Sequence, residues 1–163
     1  MNFKAVLFIL MLWLPSTAPD IVQVRQAYIE AAESEQVLKK LYDDLSSVAN
    51  NDQSTLVAYK GAVTAMMARY ADGFKDKKNY FKEGRDLLEQ AVQKDPENVE
   101  IRCVRLSVQE NVPKITGYHK EIEEDRKYIL DHYEGMDDDS AKKFVKGFVQ
   151  QSESFSEDQK QLF

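Results

Sequence analysis

Between residues 20 and 48, apolar or small side chains recur at Ile21, Val24, Tyr28 and Ala31, and again at Leu38, Leu41 or Tyr42, Leu45 and Val48. The interval is that of one helix face, not the two-residue alternation of a strand. The stripe lapses at Glu35. With no Gly or Pro to arbitrate, one long helix and two shorter ones both fit, and two are favoured because Ser34 can serve as an N-cap. Asn50-Asn51-Asp52-Gln53 reads as a polar turn, after which Ser54 can cap a helix carrying Leu56, Tyr59, Val63, Met66, Met67 and Tyr70. Gly61, Ala62, Ala65 and Ala68 lie among them, and small residues at this density let a neighbouring helix approach closely. Asp72-Gly73 ends that helix. Further helices are predicted over 80–94, 99–110, 116–133 and 140–150, the last introduced by Asp137-Asp138-Asp139.

Residues 81–113 read FKEGRDLLEQAVQKDPENVEIRCVRLSVQENVP. Gly84, Leu88, Ala91 and Pro96 fall at small, bulky, small and turn positions, so one amphipathic helix ends at Asp95-Pro96-Glu97-Asn98 and another starts at once. These four residues stand at the spacing of the second half of a tetratricopeptide (TPR) repeat, whose period is about 34 residues, and the passage resembles that family. The resemblance extends over roughly residues 54–133 with degenerate repeats. Counted forward from Pro96, the large positions of the next unit fall on Arg102, Arg105 and Gln109. A shift of one residue restores apolar occupants at Ile101, Val104 and Val108 but puts Arg105 where a TPR has a small residue. Upstream, Met67-Ala68 and Ala71 match only across a longer turn. The resemblance implies an all-α fold, a TPR-like stack of antiparallel helical hairpins with about six or seven helices, whose concave face suits peptides or helices. That domain is expected over 19–151, followed over 152–163 by a tail that is polar except for Phe155, Leu162 and Phe163, and is either frayed or a partner-docking segment.

Composition narrows the function classes. Hydrophobic residues make up 43% of the chain, enough for a core, and six Gly and four Pro favour helix over sheet or disorder. The net charge of −6, with no long basic stripe, would repel a nucleic-acid backbone. A single cysteine, Cys103, excludes an intramolecular disulfide and a cysteine-based metal cluster, and its apolar helical context makes it a packing residue. Residues 1–18 have the form of a secretory signal peptide: Lys4, the apolar run from Ala5 to Leu14, then Pro15-Ser16-Thr17-Ala18 as a small-residue cleavage site. The run is shorter than the about 20 residues that span a bilayer, and no Cys follows to carry a lipid. Pro19 leaves the bond that is cut open, and an uncleaved N-terminal anchor is the competing reading. Cleavage implies an exported chain, periplasmic or secreted, with no stable membrane insertion.

Candidate chemistry centres on Arg102, Arg105 and Gln109, which share one helix face at i, i+3 and i+7. On the next helix Asp125 interrupts the stripe Tyr118, Ile122, Ile129 and Tyr133. A carboxylate inside an apolar stripe needs a partner. One reading is a structural tie inside the hairpin, Asp125 with Arg105. The other turns one or both arginines to the groove, where the guanidinium fork suits a carboxylate of a peptide or ligand. Lys75, Lys77, Lys78 and Lys82 read as a solvated turn or an anion or lipid-headgroup patch. His119 and His132, near the two ends of one predicted helix, lack the i, i+4 spacing of a helical zinc site, and the acidic triplet caps a helix and lacks the alternating ligands of a calcium loop. Asp125 is the sole candidate for a buried general acid. The sequence therefore predicts a non-catalytic, exported protein-interaction or assembly module of the cell envelope with a protein or peptide partner, no metal and no cofactor. The alternative is a small carrier of an anionic or lipidic ligand, and the residues proposed to bind are Arg102, Arg105, Gln109, Tyr59 and Tyr118.

Overall fold

The computed structural model describes residues 18–163, and the segment expected as a signal peptide lies outside them except for Ala18. Two helices occupy the first stripe, α1 (Ile21–Ala31) and α2 (Glu35–Asp44). They are separate because Ser34 leaves helical geometry and accepts a hydrogen bond from Val37 N. Then come α3 (Ser54–Met67), α4 (Phe74–Lys94), α5 (Val99–Asn111), α6 (Ile122–His132), α7 (Asp139–Gln151) and a single-turn α8 (Glu157–Lys160). No strand occurs among the described residues.

Four boundaries differ from those expected. Helix α3 ends at Met67 and not at Asp72-Gly73, because from Ala68 to Tyr70 each backbone N–H bonds the carbonyl three residues back, so Tyr70 lies on a tightened turn after the helix. Ser54 is the first residue of α3 and not its cap; Gln53 holds the cap position without a side-chain bond. Helix α4 begins at Phe74 and not at residue 80, because Gly73 makes the turn with φ of 89° and no breaker follows before Pro96. Lys75, Lys77 and Lys78 accordingly sit on exposed first turns of a helix. Helix α6 starts at Ile122 and not at residue 116. A 3-10 turn, Lys114–Thr116, is ended by Gly117 in the left-handed region at φ of 66°, which breaks helix propagation. Tyr118 and His119 lie in the loop that follows, so the two histidines do not share a helix.

Consecutive helices pair as α1 with α2, α3 with α4 and α5 with α6. The crossing of α3 and α4 is set by glycine. A Cβ placed on Gly84 would stand 2.4 Å from Ala65 N and 2.4 Å from Gly61 O, and one placed on Gly61 would stand 2.7 Å from Gly84 O. Gly61 also faces Leu88 and Gly84 faces Ala65, a register that runs antiparallel. The first members of the pairs, α1, α3 and α5, pack side by side, and α7 continues the row on α5 while also touching α1. The row thus closes on itself. Its interior is filled by Tyr28, Tyr59 and Phe144, whose ring centroids lie 5.2, 5.7 and 6.2 Å apart, where an open stack of hairpins would present a concave surface.

Residues 152–163 do not stand apart as a tail. Ser152 donates to Glu110, Ser154 N donates to the same carboxylate at 3.0 Å, Phe155 is buried, and Phe163 lies 4.4 Å from the Tyr133 ring. Two aromatic anchors draw an otherwise polar segment back onto α5, α6 and α7. No helix among the described residues is long and apolar enough to cross a membrane.

Candidate functional site

Helix α5 is buried on every side. Its apolar residues Val99, Ile101, Cys103, Val104, Leu106 and Val108 do not form one stripe but surround the axis, so Glu100, Arg102, Arg105 and Gln109 between them are buried as well. Buried charge is costly unless paired and hydrogen-bonded, and the partners sort into two networks.

The first lies between α4, α5 and α6. Asp125 has no exposed surface and binds both arginines, not one. Arg105 Nε and Nη2 donate to its two oxygens at 2.7 Å each, a fork-to-fork pair, and Arg102 Nη1 donates to Oδ1 at 2.9 Å. Arg105 Nη1 reaches Glu89 at 3.0 Å, while Arg102 reaches Glu124 at 2.9 Å and the Pro96 carbonyl at 2.8 Å and lies 4.3 Å over the Tyr128 ring. Burial pulls the Arg105 pKa down, but the hydrogen bond and charge of Asp125 outweigh it and the net shift is upward. Arg102 holds the Glu124 carboxyl below its ordinary range. Tyr118 donates to Glu89 at 2.6 Å, and burial, with that carboxylate, pushes its pKa up. Gln109 Nε2 donates to Glu121 at 3.0 Å, and its Oε1 is buried without a partner.

Arg102, Arg105, Gln109 and Tyr118 are therefore brought together, but they face inward. Arg105 is 4% exposed and all three of its donor nitrogens are engaged within the fold. Tyr59 does not join them and has no exposed surface. Among the described residues these five side chains line no common groove, because the closing of the helix row buries Tyr59 and the α5 to α6 joint engages the arginines. Cys103 is buried, and burial, then the nearby Glu100 charge, raises its thiol well above the ordinary value.

The second network was not read from the sequence. Arg25 on α1 forks onto Glu100 of α5, Nε to Oε1 at 2.7 Å and Nη2 to Oε2 at 2.8 Å. Tyr59 of α3 donates to Glu100 Oε1 at 2.8 Å, and Arg25 also reaches Asp138 at 2.9 Å and Ser140 at 3.0 Å at the start of α7. Four helices are tied at one point. Asp138 in addition caps α7, accepting from Ser140 N and Ala141 N at 2.8 and 3.0 Å, and these bonds, together with Arg25, hold its carboxyl below the ordinary range. A signal did exist. Arg25 stands four residues after Ile21 and three before Tyr28, inside an apolar stripe as Asp125 is inside another.

Over this network opens a cleft of about 620 Å³, where α3, α5 and α7 begin and α6 ends. Arg25, Thr55, Glu97, Glu100, Asp131, Asp137 and Asp138 supply its polar lining, and Val99, Met136 and Ala141 its apolar part. A second hollow of about 430 Å³, outside α4 between Lys60, Lys82, Glu83 and Asp86, mixes both charges. Comparison of the chain with family models, with curated proteins and with solved structures finds no match in any of the three.

Proposed function

We propose that this chain is an exported, TPR-like protein-interaction or assembly module of the cell envelope, and that it receives its partner in the cleft at the starts of α3, α5 and α7. The observation that carries the reading is the cleft itself: a recess of about 620 Å³ whose floor is fixed by Arg25, Glu100 and Tyr59 while Glu97 and Asp137 are exposed on its rim and Asp131, also exposed there, is paired with Lys127. A preformed recess on a rigid helical floor suits recognition with little ordering cost. Asp125, the one acid considered for proton transfer, is fully buried and does not line the cleft. Export rests on the basic residue, apolar run and small-residue site of residues 1–18.

Gly135 offers the test, since it lines the cleft and a Cβ added there meets nothing within 4 Å. A photo-crosslinking residue at Gly135, and another at exposed Phe74 as a control, would be expressed in the native host. The expected result is one defined protein crosslinked from position 135 alone, in the envelope or secreted fraction, to a chain whose intact mass lacks the leader. The same pattern from both positions, or none from position 135, overturns the reading.

A further inference from the structure

We infer that the end of the molecule opposite the cleft is a docking surface for an anionic lipid bilayer, an inference that does not depend on the partner proposed above. The cleft lies where α3 and α5 begin. At the other end α3 stops at Met67, just past the Ala65 that meets Gly84, so the first turns of the antiparallel α4 run on beyond it. Every residue from Phe74 to Asn79 is exposed. The loop that follows α5 emerges beside them, since the Phe81 and Tyr118 rings stand 6.0 Å apart. Helical spacing sorts the charges there. Phe74, Lys77, Lys78 and Phe81 stand at i, i+3, i+4 and i+7 and share a face, with Lys75 and Lys82 on its flank, whereas Asp76 and Glu83 take the opposite side.

Lys114 and Lys120 stand exposed on the loop and extend the basic face. None of these lysines forms a salt bridge among the described residues, while the acids that begin α6 are engaged, Glu121 by Gln109 and Glu123 by Arg126. Asp72, on the turn before Gly73, offsets one charge. A second observation, independent of charge, selects the occupant. Phe74 is 83% and Ile115 95% exposed, the two most exposed large apolar side chains among the described residues. Both flank the Phe81 to Tyr118 contact, Phe74 about 10 Å from Phe81 along the helix and Ile115 within about 11 Å of Tyr118 along the chain. Single apolar side chains standing among lysines do not make the contiguous patch that a protein interface buries. They fit a bilayer, where each enters the headgroup and acyl boundary while lysine stems reach back to lipid phosphates. A nucleic-acid backbone would meet the lysines but gain nothing from Ile115. Docked in this way, the molecule turns its cleft away from the membrane.

The experiment sediments the chain, as purified from its native host, with vesicles of phosphatidylcholine containing about 30% phosphatidylglycerol and with vesicles of phosphatidylcholine alone. Parent and variants share one N-terminus, so binding by any retained leader is common to all. Preference for the anionic vesicles is expected, and salt should weaken it. Because the substituted positions are exposed, the variants fold as the parent does. Lys77→Glu/Lys78→Glu should lower the partition about tenfold or more, and Phe74→Ser and Ile115→Ser several-fold each. A local readout comes from Phe74→Trp, whose emission, after subtraction of the parent spectrum, should move to the blue on anionic vesicles and stay in place with inorganic phosphate or a DNA oligonucleotide. Equal binding to both kinds of vesicle, an unchanged partition for the lysine variant, or an equal emission shift with the oligonucleotide overturns the inference. A crosslinked protein at position 135 without vesicle binding leaves the module standing and removes the membrane surface, and vesicle binding without that crosslink does the reverse.

Discussion

Where α3 crosses α4, Gly61 and Gly84 bring backbone against backbone, whereas one hairpin further along, at the joint of α5 and α6, Arg102 and Arg105 reach across to Asp125. The glycine seam buries almost no polar group beyond those its helices already satisfy, so its stability comes from close dispersion contact and removal of apolar surface. The charged joint has to offset the desolvation of three ions before it contributes anything. Their vulnerabilities are opposite in consequence. The seam is damaged by adding atoms and the joint by removing them.

The largest effect is expected at the joint. Asp125→Ala leaves two guanidinium groups buried against each other without their shared acceptor and should cost about 3–5 kcal/mol in urea unfolding. Because Asp125 bonds both arginines, double-mutant cycles should give coupling above about 1 kcal/mol with Arg102 and with Arg105 alike. Exchanging all three for apolar residues of similar size, Arg102→Met/Arg105→Met/Asp125→Leu, should restore most of the loss, since Glu89 and Glu124 are exposed enough to turn to water. If Asp125→Ala stays within about 0.5 kcal/mol of the parent, the joint behaves as a surface contact and the contrast with the seam fails.

At the seam the expected change is smaller and runs against intrinsic propensity. In a free helix Gly→Ala gains up to about 1 kcal/mol. Here the new methyl of Gly84→Ala would sit 2.4 Å from backbone atoms of α3, which cannot rotate away, so overpacking near the upper end of about 1–3 kcal/mol should outweigh the gain. A raised melting temperature for Gly84→Ala would show that the helices separate at little cost. Gly84→Leu should be worse than Gly84→Ala, with helical circular dichroism retained until unfolding.

The two regions also differ in how far the sequence disclosed them. Gly61, Gly84, Ala91 and Pro96 are legible because small volume and turn chemistry belong to the residue itself, whatever lies opposite. Asp125 was visible as a break in a stripe, but Arg102 and Arg105 read as alternatives. They act together because their i, i+3 spacing presents both to one carboxylate. Arg25 and Glu100 are 75 residues apart, and neither position reveals the other. What pointed to them was that α5 has apolar residues on all faces, which obliges every polar residue in it to find an internal partner. The cleft was the least legible, since it is made by the ends of four helices whose alignment is decided by packing alone. Helix starts slipped where backbone conformation ruled, at Gly73 and Gly117, both at positive φ.

Alkaline pH offers the gentlest way to tell the two regions apart, because the glycine seam contains nothing that titrates and the surroundings of α5 do. Tyr28 packs in the closed helix row and shares a hydrogen bond with Ser107 of α5 at 2.8 Å. Burial pushes its pKa up to about 12, with the Ser107 bond pulling the other way. Tyr59 is raised well above its ordinary value by burial and then by Glu100, and Cys103 by burial and the same carboxylate. In each case the folded state favours the neutral form. The folded pKa exceeds the unfolded one, so the stability these groups contribute is complete below the unfolded pKa and is lost as pH rises through the folded pKa. For Cys103 the loss starts near pH 8.5, for the tyrosines near pH 10. Tyr28 alone should account for about 2 kcal/mol by pH 12. Urea unfolding between pH 8 and pH 12 should show a flat region and then a steepening fall. Gly84→Ala should lower that curve in parallel, whereas Tyr28→Phe should flatten its upper part and Cys103→Ala its beginning. Were Tyr28→Phe to leave the slope unchanged while Gly84→Ala altered it, the titrating groups would not be those around α5, and the division of the molecule into a seam of volume and a joint of charge would have to be redrawn.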